Sequence, residues 1–161
     1  MAGDVAEMTD LAEPPHSTAQ AKIDEKGRLK LPSGSLEWCR KSNVVDVFVT
    51  TVDKKTVRIY PIPLWKSTVK LLEGPGDHAK TGLELARIAK HYGGDAEIDA
   101  QGRILLPSAL RTLMGLELQP VCLEHVKGRM DVTVKKVHDA LLQAAESNLD
   151  EKVETFAKLG L

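Results

Sequence analysis

Cysteine is scarce in this chain of 161 residues: Cys39 and Cys122 are the only two, and neither has a Cys or His neighbour at metal-ligand spacing. That excludes a disulfide framework and a Cys-rich metal site, and it implies two reduced, buried thiols and a cytoplasmic setting. Long apolar runs are missing as well. No stretch approaches the roughly 18 residues needed to cross a bilayer, and Asp4, Glu7 and Asp10 stand where an export signal carries basic residues. The expectation is a soluble protein with no membrane partner. Catalytic signatures are equally absent. His16, His78, His91, His125 and His138 are scattered, and the sequence holds no His-Glu-x-x-His, no Gly-x-Ser-x-Gly and no phosphate loop around Gly74. No enzyme, no metal and no small-molecule cofactor is therefore expected.

Excess charge of one sign is also lacking, with 22 basic against 23 acidic residues and a formal net charge of −1. Such a balance excludes dense, indiscriminate attraction to nucleic acid. The charge is unevenly spread, however. Residues 1–20 carry −4 and residues 139–161 carry −3, which leaves +6 on residues 21–138. The composition, 42% hydrophobic and 28% charged, is ordinary for a globular chain. At this length roughly 70% of the unfolded surface can be buried, so one domain or two small ones need no metal or disulfide staple.

What the chain does contain is a repeat. Shifted by 75 positions, residues 21–33 fall on residues 96–108 with eight identities in thirteen. Each copy contains a short strand, then Asp-x-x-Gly-Arg, then an apolar strand that stops at Pro32 or Pro107. Asp accepts hydrogen bonds from turn N–H groups, and Gly supplies a left-handed residue, so each copy predicts a tight reversal with Arg opening the return strand. The prolines cannot donate to a ladder; they close the strand and can open a helix at Ser33 and Ser108. Two more strand pairs follow, Val44–Thr50 with Val57–Tyr60 and Val121–Val126 with Met130–Val134.

Helices are predicted from Leu64 to Leu72 and along the face Leu85, Ile88, Ala89 and Tyr92, which Gly93-Gly94 ends. The domain reading is an acidic flexible tail over 1–17, a first repeat over 18–73, a linker and helix over 74–94 and a second repeat over 95–137. An amphipathic helix covers 138–161, with Asn148 its candidate interruption. The fold class is α+β: a β-rich pseudo-two-fold barrel with connecting helices.

A single Asp-x-x-Gly-Arg has a bland explanation, a turn whose Asp and Arg pair at the surface for about 0–1 kcal/mol. Turn chemistry does not require Arg twice at the same offset. A pseudo-two-fold barrel brings both turns to one end, where Arg28 and Arg103 can act together on a repetitive anion, with duplex DNA the obvious case. Charge favours the first copy, since residues 22–41 carry +3 and residues 95–111 carry −1.

The duplicated signature, with the second copy running Ile98-Asp99-Ala100-Gln101-Gly102-Arg103-Ile104-Leu105-Leu106-Pro107-Ser108-Ala109-Leu110-Arg111, resembles the bacterial MraZ proteins over roughly residues 20–137. The resemblance implies two tandem AbrB-type (SpoVT-AbrB-like) swapped-hairpin repeats in a ring-shaped homo-oligomer. It also implies a nucleoid-associated transcriptional regulator of the division and cell-wall gene cluster that binds promoter repeats in double-stranded DNA. The implied DNA-binding residues are Asp24, Lys26, Gly27, Arg28 and Lys30 in the first repeat, and Asp99, Gly102 and Arg103 in the second. Where the family follows the first Pro with an apolar-Arg pair, this chain has Ser33-Gly34-Ser35-Leu36. The alternative from another class is a ring-forming scaffold or protein-interaction module that does not bind DNA.

Overall fold

Strands form where β-branched and apolar residues alternate, and they stop where the chain supplies turn chemistry. The computed structural model describes residues 11–161. The first half contains β1 (Ala19–Lys22), β2 (Arg28–Lys30), β3 (Asp46–Thr50) and β4 (Val57–Pro61), and the second contains β5 (Gly94–Glu97), β6 (Arg103–Leu105), β7 (Pro120–Val126) and β8 (Arg129–Val134). Six helices connect or follow them among the described residues: α1 (Ser33–Lys41), α2 (Ile62–Leu72), α3 (Ala79–Tyr92), α4 (Ser108–Met114), α5 (Lys135–Ala145) and α6 (Leu149–Ala157). The class is α+β, as the sequence predicts.

The two hairpins use different turns. Between β3 and β4, the Asp53 carboxylate accepts from the backbone N–H groups of Lys55 and Thr56, both at 2.9 Å. Between β7 and β8, Lys127 and Gly128 both have positive φ, 51° and 85°, the two-residue geometry that matches strand twist. Pro32 and Pro107, each with φ −57°, immediately precede α1 and α4, which start at Ser33 and Ser108.

Strand pairing crosses between the halves. β1 lies antiparallel to β7, with Ala19 opposite Leu123, and β5 lies antiparallel to β3, with Val47 opposite Ala96. Each half thus gives its first strand to the other half's hairpin. β4 and β8 join the hairpins, with Arg58 opposite Asp131. The resulting order, β1-β7-β8-β4-β3-β5, is unchanged when the halves are exchanged. This six-stranded ladder is open, with β1 and β5 at its edges, and β2 and β6 form a separate two-stranded ribbon.

The core lies between the ladder and the ribbon. Leu29 and Ile104 face each other across the ribbon and are wholly buried, among Ile23, Leu31, Val47, Ile59, Leu106 and Leu110. Cys39 and Cys122 are free and buried, and burial pushes the Cys39 thiol up to about 11. Such a thiol is inert at neutral pH. His125 is half-buried: its Nε2 lies 2.9 Å from Ser35 Oγ, its ring meets Trp38 edge-on, and desolvation lowers its pKa.

Most of the expected tail, residues 1–10, lies outside the described residues. At its far end Leu11 packs against the core, while the Ala12 carbonyl accepts from Trp38 Nε1 at 2.9 Å and the Ala12 N–H donates to Ser42 Oγ at 2.8 Å. Along α3, Ala86 and Ala89 are buried, and Thr50 Oγ1 donates to the Ala89 carbonyl at 2.6 Å. The C-terminal apolar period is realised as two helices, not one. Asn148, with φ 53°, separates α5 from α6, and neither helix has a buried residue. Among the described residues no helix is long and apolar enough to cross a membrane.

Because Leu29 and Ile104 seal the ribbon onto the core, Leu29→Ala or Ile104→Ala should cost about 2–5 kcal/mol through lost burial and the cavity left behind. Urea unfolding measures this. Losses of only a few tenths would show that the ribbon is not an integral wall of the core.

Candidate nucleic-acid interface

The two reversals are built alike. The Gly27 N–H donates to the Asp24 carbonyl at 3.1 Å, and the Gly102 N–H to the Asp99 carbonyl at 3.0 Å. Gly27 has φ 82° and Gly102 has φ 76°, a conformation that a side chain resists. A Cβ at either site would also displace a side chain: one on Gly27 would lie 2.2 Å from Arg111 Cδ, and one on Gly102 would lie 2.7 Å from Leu36 Cδ2. Arg111 and Leu36 are 75 residues apart. Each half therefore covers the other's turn from the same position of its helix, once with Arg and once with Leu.

Each Asp organises its own turn. Asp24 Oδ1 accepts the backbone N–H groups of Lys26 and Arg28, both at 2.9 Å, and its Oδ2 accepts Arg28 Nε at 2.8 Å. Asp99 repeats the pattern with Gln101 N, Arg103 N and Arg103 Nε, at 2.9, 2.9 and 3.2 Å. The backbone N–H of Arg28 is the strongest influence on the Asp24 carboxyl. With the Arg28 side chain and the Lys26 N–H, it holds that carboxyl below the ordinary range against the opposing effect of desolvation. Arg103, then Gln101, hold Asp99 down in the same way.

An arginine gripped at Nε keeps its terminal nitrogens for another acceptor. Arg28 Nη1 and Nη2 have no hydrogen-bond partner among the described residues, whereas Arg103 Nη2 donates to Gln101 Oε1. In the ribbon register Arg28 stands opposite Leu105 and Lys30 opposite Arg103, so the two arginines share the outward face as diagonal neighbours, about 7–8 Å apart. The turns are also tied to each other. Gly27 and Gly102 carbonyls accept from Leu106 N and Leu31 N at 3.0 and 2.9 Å, Lys30 Nζ donates to the Gln101 carbonyl, and Arg111 Nη1 to the Lys26 carbonyl at 3.2 Å.

All eight residues expected at the interface therefore lie in these two turns and the ribbon between them. Arg28, Lys30, Arg103 and Asp24 line one shallow depression of about 460 Å³ with Lys22, Glu25 and Leu118. Asp99 lies apart, in a hollow with Arg40 and Ala100. The sequence reading missed Lys22, Arg111 and Leu118 as site residues. Lys22 carried a usable signal, since it occupies the position of Glu97 and makes the halves unequal in charge. Arg111 stands in the second copy's signature, but its seat on the first turn depends on contacts between the halves, and Leu118 carried no signal. Among the described residues, no group of three or more His, Cys, Asp or Glu could hold a metal ion.

Both turn carboxyls have lowered pKa values in the fold, so their contribution is fully present above the unfolded carboxylate value near pH 4 and is lost as pH falls through the folded one. Asp24→Asn combined with Asp99→Asn should lower stability at neutral pH and flatten its fall below about pH 4. Urea midpoints measured against pH test this, and an unchanged acid limb would refute it.

No protein-family model matches the chain. Curated relatives do. It is similar to the transcriptional regulator MraZ of Acidobacterium capsulatum, 40% identical over 91 residues that make up 56% of this chain and 62% of that protein. The transcriptional regulator MraZ of Koribacter versatilis is 33% identical over 91 residues, with the same shares. The match thus spans somewhat less than two thirds of the length of these two relatives. For the transcriptional regulator MraZ of Nitrosomonas europaea, identity is 30% over 104 residues, and the match covers 65% of this chain and 70% of that protein. With the doubled Asp-x-x-Gly-Arg turn intact and relatives matched at this identity and coverage, the chain belongs to the MraZ family.

Proposed function

We propose that this chain is a transcriptional regulator that binds double-stranded DNA sequence-specifically, at short promoter repeats of the division and cell-wall gene cluster, as a ring-shaped homo-oligomer in the cytoplasm and on the nucleoid. The observation that carries the reading is the shared outward face of the β2–β6 ribbon. Arg28 and Arg103 are each fixed at Nε by an Asp, and Arg28 has both terminal nitrogens free for an acceptor among the described residues. A guanidinium held this way is oriented before binding, so little side-chain freedom is lost when it meets guanine O6 and N7 or a phosphate. Lys22, Lys26 and Lys30 add long-range attraction on the first-half side; the corresponding positions of the second half are Glu97, Gln101 and Leu105. The names of the relatives support the regulatory role.

Self-association supplies what one small site lacks. Several sites on one oligomer engage spaced repeats at high effective concentration, which offsets a modest net charge. The exposed apolar residues of the C-terminal helices, including Leu149 (51%), Val153 (48%) and Phe156 (58%), support an assembly contact there.

Arg28→Ala and Arg103→Ala should each weaken binding to the DNA upstream of the chain's own gene by about 1–3 kcal/mol, roughly fivefold to 150-fold, with the fold intact by circular dichroism. Affinity should also fall steeply with salt as phosphate contacts release counterions. Unchanged affinity in both folded variants, with a flat salt dependence, would favour the scaffold reading instead. Val153→Glu with Phe156→Glu should reduce the mass seen by light scattering; an unaltered mass would remove α6 from the assembly contact.

A further inference from the structure

One wall of the basic depression is apolar. Leu118 lines it beside Lys22, Asp24, Arg28, Lys30 and Arg103, and is 60% exposed. Its φ is 65°, a left-handed conformation that is uncommon for a residue with a bulky apolar side chain. Exposure and backbone conformation both work against a leucine here, and an outlier of this kind is a pointer to function. Asparagine tolerates that conformation well. The backbone here therefore does not call for leucine. The other exposed leucine near the arginines, Leu105, borders a separate hollow with Asp46, Asp95 and Glu97 and no Lys or Arg, whereas four basic residues outweigh Asp24 and Glu25 around Leu118.

We propose that Leu118 is a sequence-reading residue that contacts the 5-methyl group of a thymine in the major groove. The inference rests on the DNA-binding reading above. The thymine methyl is the apolar feature of the major-groove base edges, and an apolar side chain is what recognises it. Arg28, Lys30 and Arg103 in the same depression supply the phosphate and guanine contacts that bring a base edge within reach. Asp24, beside Leu118 through the Leu118 N–H and the Asp24 carbonyl at 3.4 Å, spends its carboxylate within its own turn and on Arg28. It is thus partly neutralised toward an approaching duplex.

The test uses labelled duplex from upstream of the chain's own gene, with thymines replaced one at a time by deoxyuridine, which lacks only the methyl. Burial of one methyl corresponds to about a fourfold change in affinity. One replacement should weaken the native protein about fourfold, and Leu118→Asn should bind the thymine duplex about fourfold more weakly while being indifferent to that replacement. The slope of affinity against salt should stay unchanged in Leu118→Asn, because its phosphate contacts remain; a residue that merely positioned the turn would alter it. Since Asn suits the left-handed backbone, the variant's thermal midpoint should be no lower than that of the native chain. If no thymine-to-uracil replacement affects the native protein, or if one affects both proteins equally, the inference is overturned. Failure of the native protein to bind the duplex at all is a different outcome, which overturns the DNA-binding reading itself.

Discussion

The pairing of β2 with β6 is the constraint on which the rest of the molecule depends. It places Leu29 against Ile104 over the core and aligns two reversals whose glycine carbonyls each accept a hydrogen bond from the other half. The outer face of that ribbon is then fixed by strand alternation: buried leucine and isoleucine force Arg28, Lys30, Arg103 and Leu105 outward. Both turns hold glycine at positive φ, a conformation that any side chain adopts only with strain, and the partner half's helix side chain packs over each glycine. Core packing and site construction are in this sense one arrangement.

The two-fold symmetry of the backbone is not matched by the side chains. Equivalent positions carry Lys22 and Glu97, Lys26 and Gln101, Lys30 and Leu105, and Leu36 and Arg111. Arg111 covers Gly27 and reaches the Lys26 carbonyl, whereas Leu36 covers Gly102 by apolar contact alone. One half thus presents the stronger positive field, and the other holds the first half's turn in place. A near-neutral chain with such an arrangement is suited to a local, oriented contact and unsuited to general attraction for polyanions.

Outside the ribbon, polar groups in the interior are mostly matched. Trp38, Ser35 and His125 form a connected set that joins α1 to β7, with Ala12 bonded to Trp38. The C-terminal helices contrast with this. They project apolar side chains with none buried, and Asn148 turns the chain between them.

Much was legible in the sequence because it depends on local chemistry. Asp-x-x-Gly-Arg dictates its own turn, proline ends a strand and begins a helix, and β-branched alternation marks the hairpins. The repeat made both copies visible, and with them Asp24, Arg28, Asp99 and Arg103. What stayed hidden depends on contacts between residues far apart in the chain. These are the seating of Arg111 on Gly27, the docking of Leu11 and Ala12, and the exposure of Leu118 beside the arginines; the exchange of β1 and β5 between hairpins was implied only by the family resemblance. By itself the sequence determined that there are two turns and which side chains each one orients, since those bonds span at most four residues. Only the tertiary structure decided the ribbon register that sets Arg28 diagonal to Arg103 and what else stands on that face, because strand pairing and interhalf packing are set by the burial of a common core.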